Sequence, residues 1–337
     1  MKFICGVSVV QLWDIYHSEI PAFLAEAANT AALQRLNDVG MNCGCEYTKF
    51  PLFANIGPYS RYDHSMGVAL IVWHFTEDKA QAMAGLLHDI STPAFAHVID
   101  FLHGDHMTQE STEQETEKII RGSAELCEVL HRCGLVVENV ADYHIYPIAD
   151  NDSPKLSADR LEYTLGNGVN YGIINREEAA SLYGELTDGE NEYGETELIF
   201  KHAEIARAFA DVALECSKIY VADSDRYAMQ SLAEILKCAI ESNVILETDL
   251  YRQERDIITK LKQSPLSDRW EQFCNYSEII RSETPEEDSS WLCVPAKKRS
   301  IDPYIMGVGR VSDVFPDFRE RLCKFRESRQ DYWLSAR

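Results

Sequence analysis

Apolar residues recur at three- and four-residue intervals from Val9 to about residue 281, and strand-like alternation is scarce until near the end. A chain with that period must bury one face of each helix against other helices, so an all-α body is expected. The period predicts helices over about 19–40, 62–76, 78–89, 93–102, 109–121, 124–133, 154–166, 176–185, 197–220, 223–241, 246–263 and 267–281, with no internal repeat. Two acidic stretches rich in turn formers, "LTDGENEYGETE" (186–197) and "SETPEEDSS" (282–290), read as exposed loops. The second marks a boundary near 283, separating a helical domain (1–282) from a small extension (283–337). In the extension, "WLCVPAKKRSIDPYIMGVGRVSDV" mixes β-branched residues with Pro and Gly, which predicts a few short strands before a last helix at about 316–334.

With 337 residues the chain can bury a large core. No run of 18 residues lacks charge, so no membrane span is expected. The apolar stretch from Phe3 to Leu12 follows Lys2 but meets Gln11 and Asp14 without a small-residue cleavage pattern, and reads as a first buried segment rather than a signal peptide. Ten cysteines show no CxxC spacing, which argues against a zinc knuckle or a disulfide framework and for mostly reduced, buried thiols of a cytoplasmic protein. The net charge of −23 repels polyanions and argues against nucleic acid as the main partner. A small anionic ligand would need cations of its own.

Against that background, "GLLHDISTPAFAH" (85–97) places two metal-ligand types, His88 and Asp89, side by side at the end of an apolar helix. Ser91 or Thr92 supplies an N-cap and Pro93 a first position for the next helix. Neighbours within a helix point about 100° apart, so an adjacent pair converges on one ion most easily where the helix is finishing. Alone, the pair also fits a structural histidine and a last-turn aspartate. Upstream, His64 in "SRYDHSMGVALIVWHF" shares a face with Val68 and Ile71, as a core histidine or a ligand would. Downstream, "SPKLSADRLEYTLGNG" predicts a helix capped by Ser153, with Pro154 in its first turn and Gly166 or Gly168 near its end. Its Asp159 lies on a face with Tyr163, as a ligand or as a surface charge, while Ala158, Leu161 and Leu165 face the core.

His64, His88, Asp89 and Asp159 form an H…HD…D series on separate helices. With "TAALQRLNDVG", "FPLF", "AGLLHDISTPAFAH", "ADRLEYTLGN" and "KKRSIDP" in the same order, the sequence resembles the HD-domain metal-dependent phosphohydrolases, and among them the deoxynucleoside triphosphate triphosphohydrolases. The resemblance implies an HD-domain helical bundle with a metal core at about 40–170, extra C-terminal helices and a small mixed β/α tail. It further implies a cytoplasmic enzyme, expected to be a homo-oligomer, that hydrolyses a small phosphorylated substrate such as a nucleotide through a metal-activated water. Two imidazoles and two carboxylates suit one divalent ion of Mn, Fe, Ni, Co, Mg or Zn.

The resemblance also assigns roles around the ligands. Arg61 matches a phosphate-contacting arginine, and Arg160 stands where a phosphate-binding lysine is usual; either also reads as a surface cation. Tyr163 matches a tyrosine packed on the sugar. Asn167 takes the place of an aspartate, although an Asn between glycines also suits a left-handed helix end. Asp89 would bind the ion and accept a proton, with His97 and Glu113 as further acid–base candidates and His103 and His106 near the mouth. Glu113 equally fits a solvated acidic stripe. Thr92 and Thr112 stand where the family usually has histidines, which leaves open a phosphomonoesterase or a catalytically silent metal- or nucleotide-binding regulator. Lys297, Lys298 and Arg299 read as a solvated turn or as a phosphate-binding element.

Overall fold

The structure is a computed structural model and describes residues 11–104, 107, 115–285 and 291–337. Three short helices, α1 (Trp13–Tyr16), α2 (Ala22–Ala28) and α3 (Ala31–Gln34), lead into the central pair α4 (Arg61–Thr76) and α5 (Lys79–Leu87). α4 is buried at nearly every position from Arg61 to Val72, so it has no solvated face and lies in the middle of the fold. Its start is fixed by a capping box: Ser60 Oγ accepts from the Asp63 amide at 3.2 Å, and Asp63 accepts from the Ser60 amide at 3.1 Å. Asp78 caps α5, accepting from the amides of Ala80 and Gln81 at 2.8 and 3.1 Å. The two helices approach closely at Gly85, where a Cβ would stand 3.3 Å from Val68 and 3.4 Å from Val72.

Next come α6 (Val98–His103), α7 (Thr116–Gly122), α8 (Ala124–Arg132), α9 (Ala158–Asn170) and α10 (Arg176–Gly184). α9 packs on α4, and Ser157 rather than Ser153 caps it, accepting from the Arg160 amide at 3.3 Å. A hairpin of β1 (Leu186–Glu190) and β2 (Thr196–Phe200) precedes α11 (Ala203–Ile219), α12 (Asp223–Glu241), α13 (Glu254–Lys262) and α14 (Ser267–Asn275). The chain ends with β3 (Ile279–Ser282), β4 (Tyr304–Ile305), β5 (Gly309–Arg310), α15 (Val311–Val314), α16 (Pro316–Glu327) and β6 (Trp333–Ala336).

The all-α expectation is correct for the body but omits two small sheets. One has the order β1-β2-β4-β5, antiparallel except for the parallel β2–β4 pair, and the other pairs β3 with β6. Strands before and after residue 283 thus share both sheets. The stretch 186–197, expected as a loop, supplies β1 and starts β2. Its acidic composition conceals a buried acid, Glu197, which takes a two-pronged contact from Arg310 at 2.7 and 2.8 Å. The helix expected at 93–102 starts at Val98, because residues 88–97 form a tight turn with Phe95 and Ala96 at positive φ. Arg35 pins that turn through the carbonyls of Ile90 and Thr92, at 2.9 and 2.8 Å. The last helix stops at Glu327, and the remaining residues provide β6. Among the described residues no helix is long and apolar enough to cross a membrane. The nine described cysteines are all unpaired, with Cys293 and Cys323 exposed.

Candidate metal centre and active-site cavity

Three helices bring the expected ligands to one point. α4 contributes His64, only 1% exposed, from its first turn. α5 ends at Leu87, so His88 and Asp89 lie where the helix unwinds, and α9 offers Asp159 from its first turn. The Nε2 atoms of the two histidines stand 3.2 Å apart. Asp89 Oδ2 lies 3.6 Å from His88 Nε2 and 3.9 Å from His64 Nε2, and Asp159 Oδ1 lies 3.9 and 3.0 Å from the same atoms.

The back of each ring is anchored. The Gly85 carbonyl, which can only accept, sits 2.8 Å from His88 Nδ1, so Nδ1 donates to it and Nε2 is left facing the centre. His64 Nδ1 meets Glu162 Oε2 at 2.5 Å, and that oxygen also accepts from the Tyr59 hydroxyl. Two ring nitrogens facing one another between two carboxylates is poor geometry for hydrogen bonding alone and fits a shared cation. The charges agree. Burial works to raise Asp89, but Arg61, His88 and His64 override it and hold the carboxyl well below the usual range. Asp159 is likewise held low, burial being overcome chiefly by His64. Burial opposes a charge on His64, yet Asp159 and Glu162 push it up to about 10. The negative potential that retains a proton there would equally retain a divalent ion. His64, His88, Asp89 and Asp159 would hold it.

The centre lines a cavity of about 180 Å³. Arg61 lines it and donates to Asp89 Oδ2 at 3.0 Å. His97 lines it too, with Nδ1 2.8 Å from Asp100 Oδ2. Burial, with the charges of Arg299 and Arg61, holds His97 below its ordinary value although Asp100 works the other way. The wall also carries aromatic and amide groups: Tyr163 and Tyr220 meet edge to face at 6.1 Å, and Tyr171 donates to Asn42 at 2.6 Å. Asn167 donates to the Tyr220 hydroxyl at 2.8 Å, while its buried Oδ1 has no partner.

Of the residues singled out by sequence, His64, His88, Asp89, Asp159, Arg61, His97, Tyr163 and Asn167 all line this cavity. Arg160 does not. Its guanidinium turns back to Asn151, Ser157 and Asp150 at 2.8, 3.1 and 3.2 Å, holding the entry to α9. Asn167 sits inside α9 rather than at a left-handed end, because the helix runs on to Asn170. Thr92 caps no helix. Its hydroxyl donates to Asp89 Oδ1 at 2.7 Å, orienting a ligand. His103 is exposed at the end of α6, and Glu113, Thr112 and His106 lie outside the described residues. Glu162, Tyr59 and Asp225 were not anticipated. Glu162 had a signal, being three residues after Asp159 and therefore on the same helical face.

Comparison with known proteins agrees with this geometry. The HD domain family matches residues 61–229, from the capped start of α4 into α12. The chain belongs to the HD domain family. The metal-dependent phosphohydrolase cns2 of Cordyceps militaris is 26% identical over 307 residues, covering 86% of this chain and 83% of that protein. An uncharacterised protein of Bacillus subtilis, YdhJ, is 27% identical over 259 residues, 76% of each chain. The family match and the His64–His88–Asp89 cluster together support a metal-dependent hydrolase of phosphate esters.

Proposed function

We propose that the phosphate ester is a nucleotide, bound with its phosphate at the histidine–aspartate centre and its nucleoside against Tyr163, Tyr171 and Tyr220. The observation that carries this reading is the make-up of the cavity wall: candidate cation ligands together with aromatic rings and the unpartnered Asn167 Oδ1, an acceptor suited to a sugar hydroxyl. A divalent ion held there supplies charge neutralisation on phosphate and a water activated at neutral pH. Asp89 serves as ligand rather than base. Both of its oxygens already accept hydrogen bonds, from Arg61 and Thr92, and its carboxyl is held low. His97 is the better proton-handling group: its Nδ1 is oriented by Asp100 and its depressed pKa leaves the ring neutral near pH 7.

The resemblance to deoxynucleoside triphosphate triphosphohydrolases favours release of triphosphate. Thr92, spent on orienting Asp89 where those enzymes usually carry a histidine, favours a phosphomonoesterase instead. Product analysis separates them. Metal-loaded protein incubated with nucleoside mono- and triphosphates should yield triphosphate plus nucleoside in the first case and orthophosphate in the second. No product from protein shown to hold metal would overturn nucleotide hydrolysis and make the chain a binding regulator.

A further inference from the structure

We propose that Lys297 and Arg299, carried on the C-terminal segment that crosses the cavity, form the phosphate-binding side of this active site. The inference rests on the reading that the substrate is a phosphate ester, and it assigns a working role to a segment far from the ligands in sequence.

The argument starts from charge. The cavity wall carries two carboxylates held in the charged form, Asp89 and Asp159, inside a chain of net charge −23. An anion entering it needs more positive charge than one divalent ion provides. Among the described residues the cationic side chains on the wall, histidines aside, are Arg61, Lys297 and Arg299. Arg61 is engaged with Asp89 at 3.0 Å, and Arg160 faces away. Two of the three wall cations thus belong to the extension, and they supply most of the positive side-chain charge facing a phosphate there. Arg299 shares the cavity wall with His97 and Tyr163, and its charge acts on both.

The segment is built to present them. Arg226, fully buried, donates to the Val294 carbonyl, and the Ala296 amide donates to Gln330 Oε1 at 2.9 Å. Ser300 accepts from Arg326 at 2.9 Å, its carbonyl accepts from Ser153 at 2.9 Å, and the Asp302 amide donates to the Pro154 carbonyl at 2.9 Å. Residues 297–299 are thus held on both sides, which lowers the ordering cost when ligand binds. Within that run the side chains diverge. Lys297 and Arg299 line the cavity, whereas Lys298 donates from Nζ to the carbonyls of Arg326 and Ser328.

That divergence provides an internal control of equal charge. Calorimetric titration of the metal-loaded full chain with inorganic tripolyphosphate should show about tenfold or greater weakening in Lys297→Ala and in Arg299→Ala, as expected for loss of a charged hydrogen bond. Lys298→Ala should stay within about twofold of wild type, Arg299→Lys should recover part of the loss, and metal content should be unchanged throughout. Three alanine variants that bind alike, or no binding by wild type, would overturn the proposal. Lys297 is exposed, so its variant decides the matter even if Arg299→Ala folds poorly. Binding is read without turnover, so a substrate panel giving no product counts against nucleotide hydrolysis and leaves this result standing.

Discussion

His64 and His88 can face each other at 3.2 Å only because something behind each ring fixes it, the Gly85 carbonyl in one case and the Glu162 carboxylate in the other. Glu162 does this while buried, sharing its Oε2 with Tyr59, so its whole surroundings are arranged around the imidazole. Replacing Glu162 by Gln preserves shape and an acceptor but removes the charge behind the ring. It should weaken metal binding about tenfold, the lower end of what such supporting contacts contribute, with little change in fold; titration with Mn²⁺ would show it. An unchanged affinity would mean that Glu162 acts only in packing. The four candidate ligands were legible in the sequence because their H…HD…D order resembles the HD-domain pattern, whereas each alone also reads as an ordinary core or surface residue. Glu162 was not, because an acid on a helix normally reads as a solvated face, and only its three-residue offset from Asp159 hints otherwise.

At the scale of elements, the site depends on how closely α9 approaches α4. Gly67 makes room: a Cβ there would lie 2.6 Å from Cγ of Glu162, whose far end is tied to His64 and Tyr59 and cannot swing away freely. Gly67→Ala would gain about 1 kcal/mol of helix propensity at an ordinary site. Here overpacking of about 1–3 kcal/mol should offset or exceed that gain. The expected outcome is a denaturation midpoint no higher than wild type, together with metal affinity reduced at least as much as in Glu162→Gln. A more stable variant with full affinity would show that the helices can separate without disturbing the ligands. Long helices such as α11 and α12 were legible from their period, since packing and propensity agree along them. The hairpin β1–β2 was not. Its outer positions are acidic, and the strand that extends it, through Ile305, is distant in sequence. The 88–97 turn was misread as a helix start because Pro93 suits an N-terminus, whereas Arg35, Leu250 and Glu254 hold the backbone in another shape.

Across the whole molecule, excess negative charge continues into the interior and ties stability to pH. Glu46 is pushed up to about 8, first by burial and then by Glu254, and its buried Oε2 has no hydrogen-bond partner. Burial alone raises Asp225 to about 8. Such groups keep protons in the folded protein at pH values where the unfolded chain, with carboxyls near 4, has released them. The native state then binds more protons than the unfolded state, so this stabilisation is complete below the ordinary carboxylate range and is lost as pH rises through about 8. Between pH 6 and pH 8 each group contributes on the order of 2 kcal/mol, and growing self-repulsion of the acidic chain acts in the same direction. Urea unfolding at pH 6 and pH 8 should therefore show clearly lower stability at pH 8. Glu46→Gln, neutral at both values, should narrow the gap by about 1 kcal/mol or more. A wild-type midpoint that does not move between the two pH values would mean that these carboxyls are ionised and solvated through openings large enough to admit water. A gap that persists unchanged in Glu46→Gln would assign the pH dependence to Asp225 and to net charge instead.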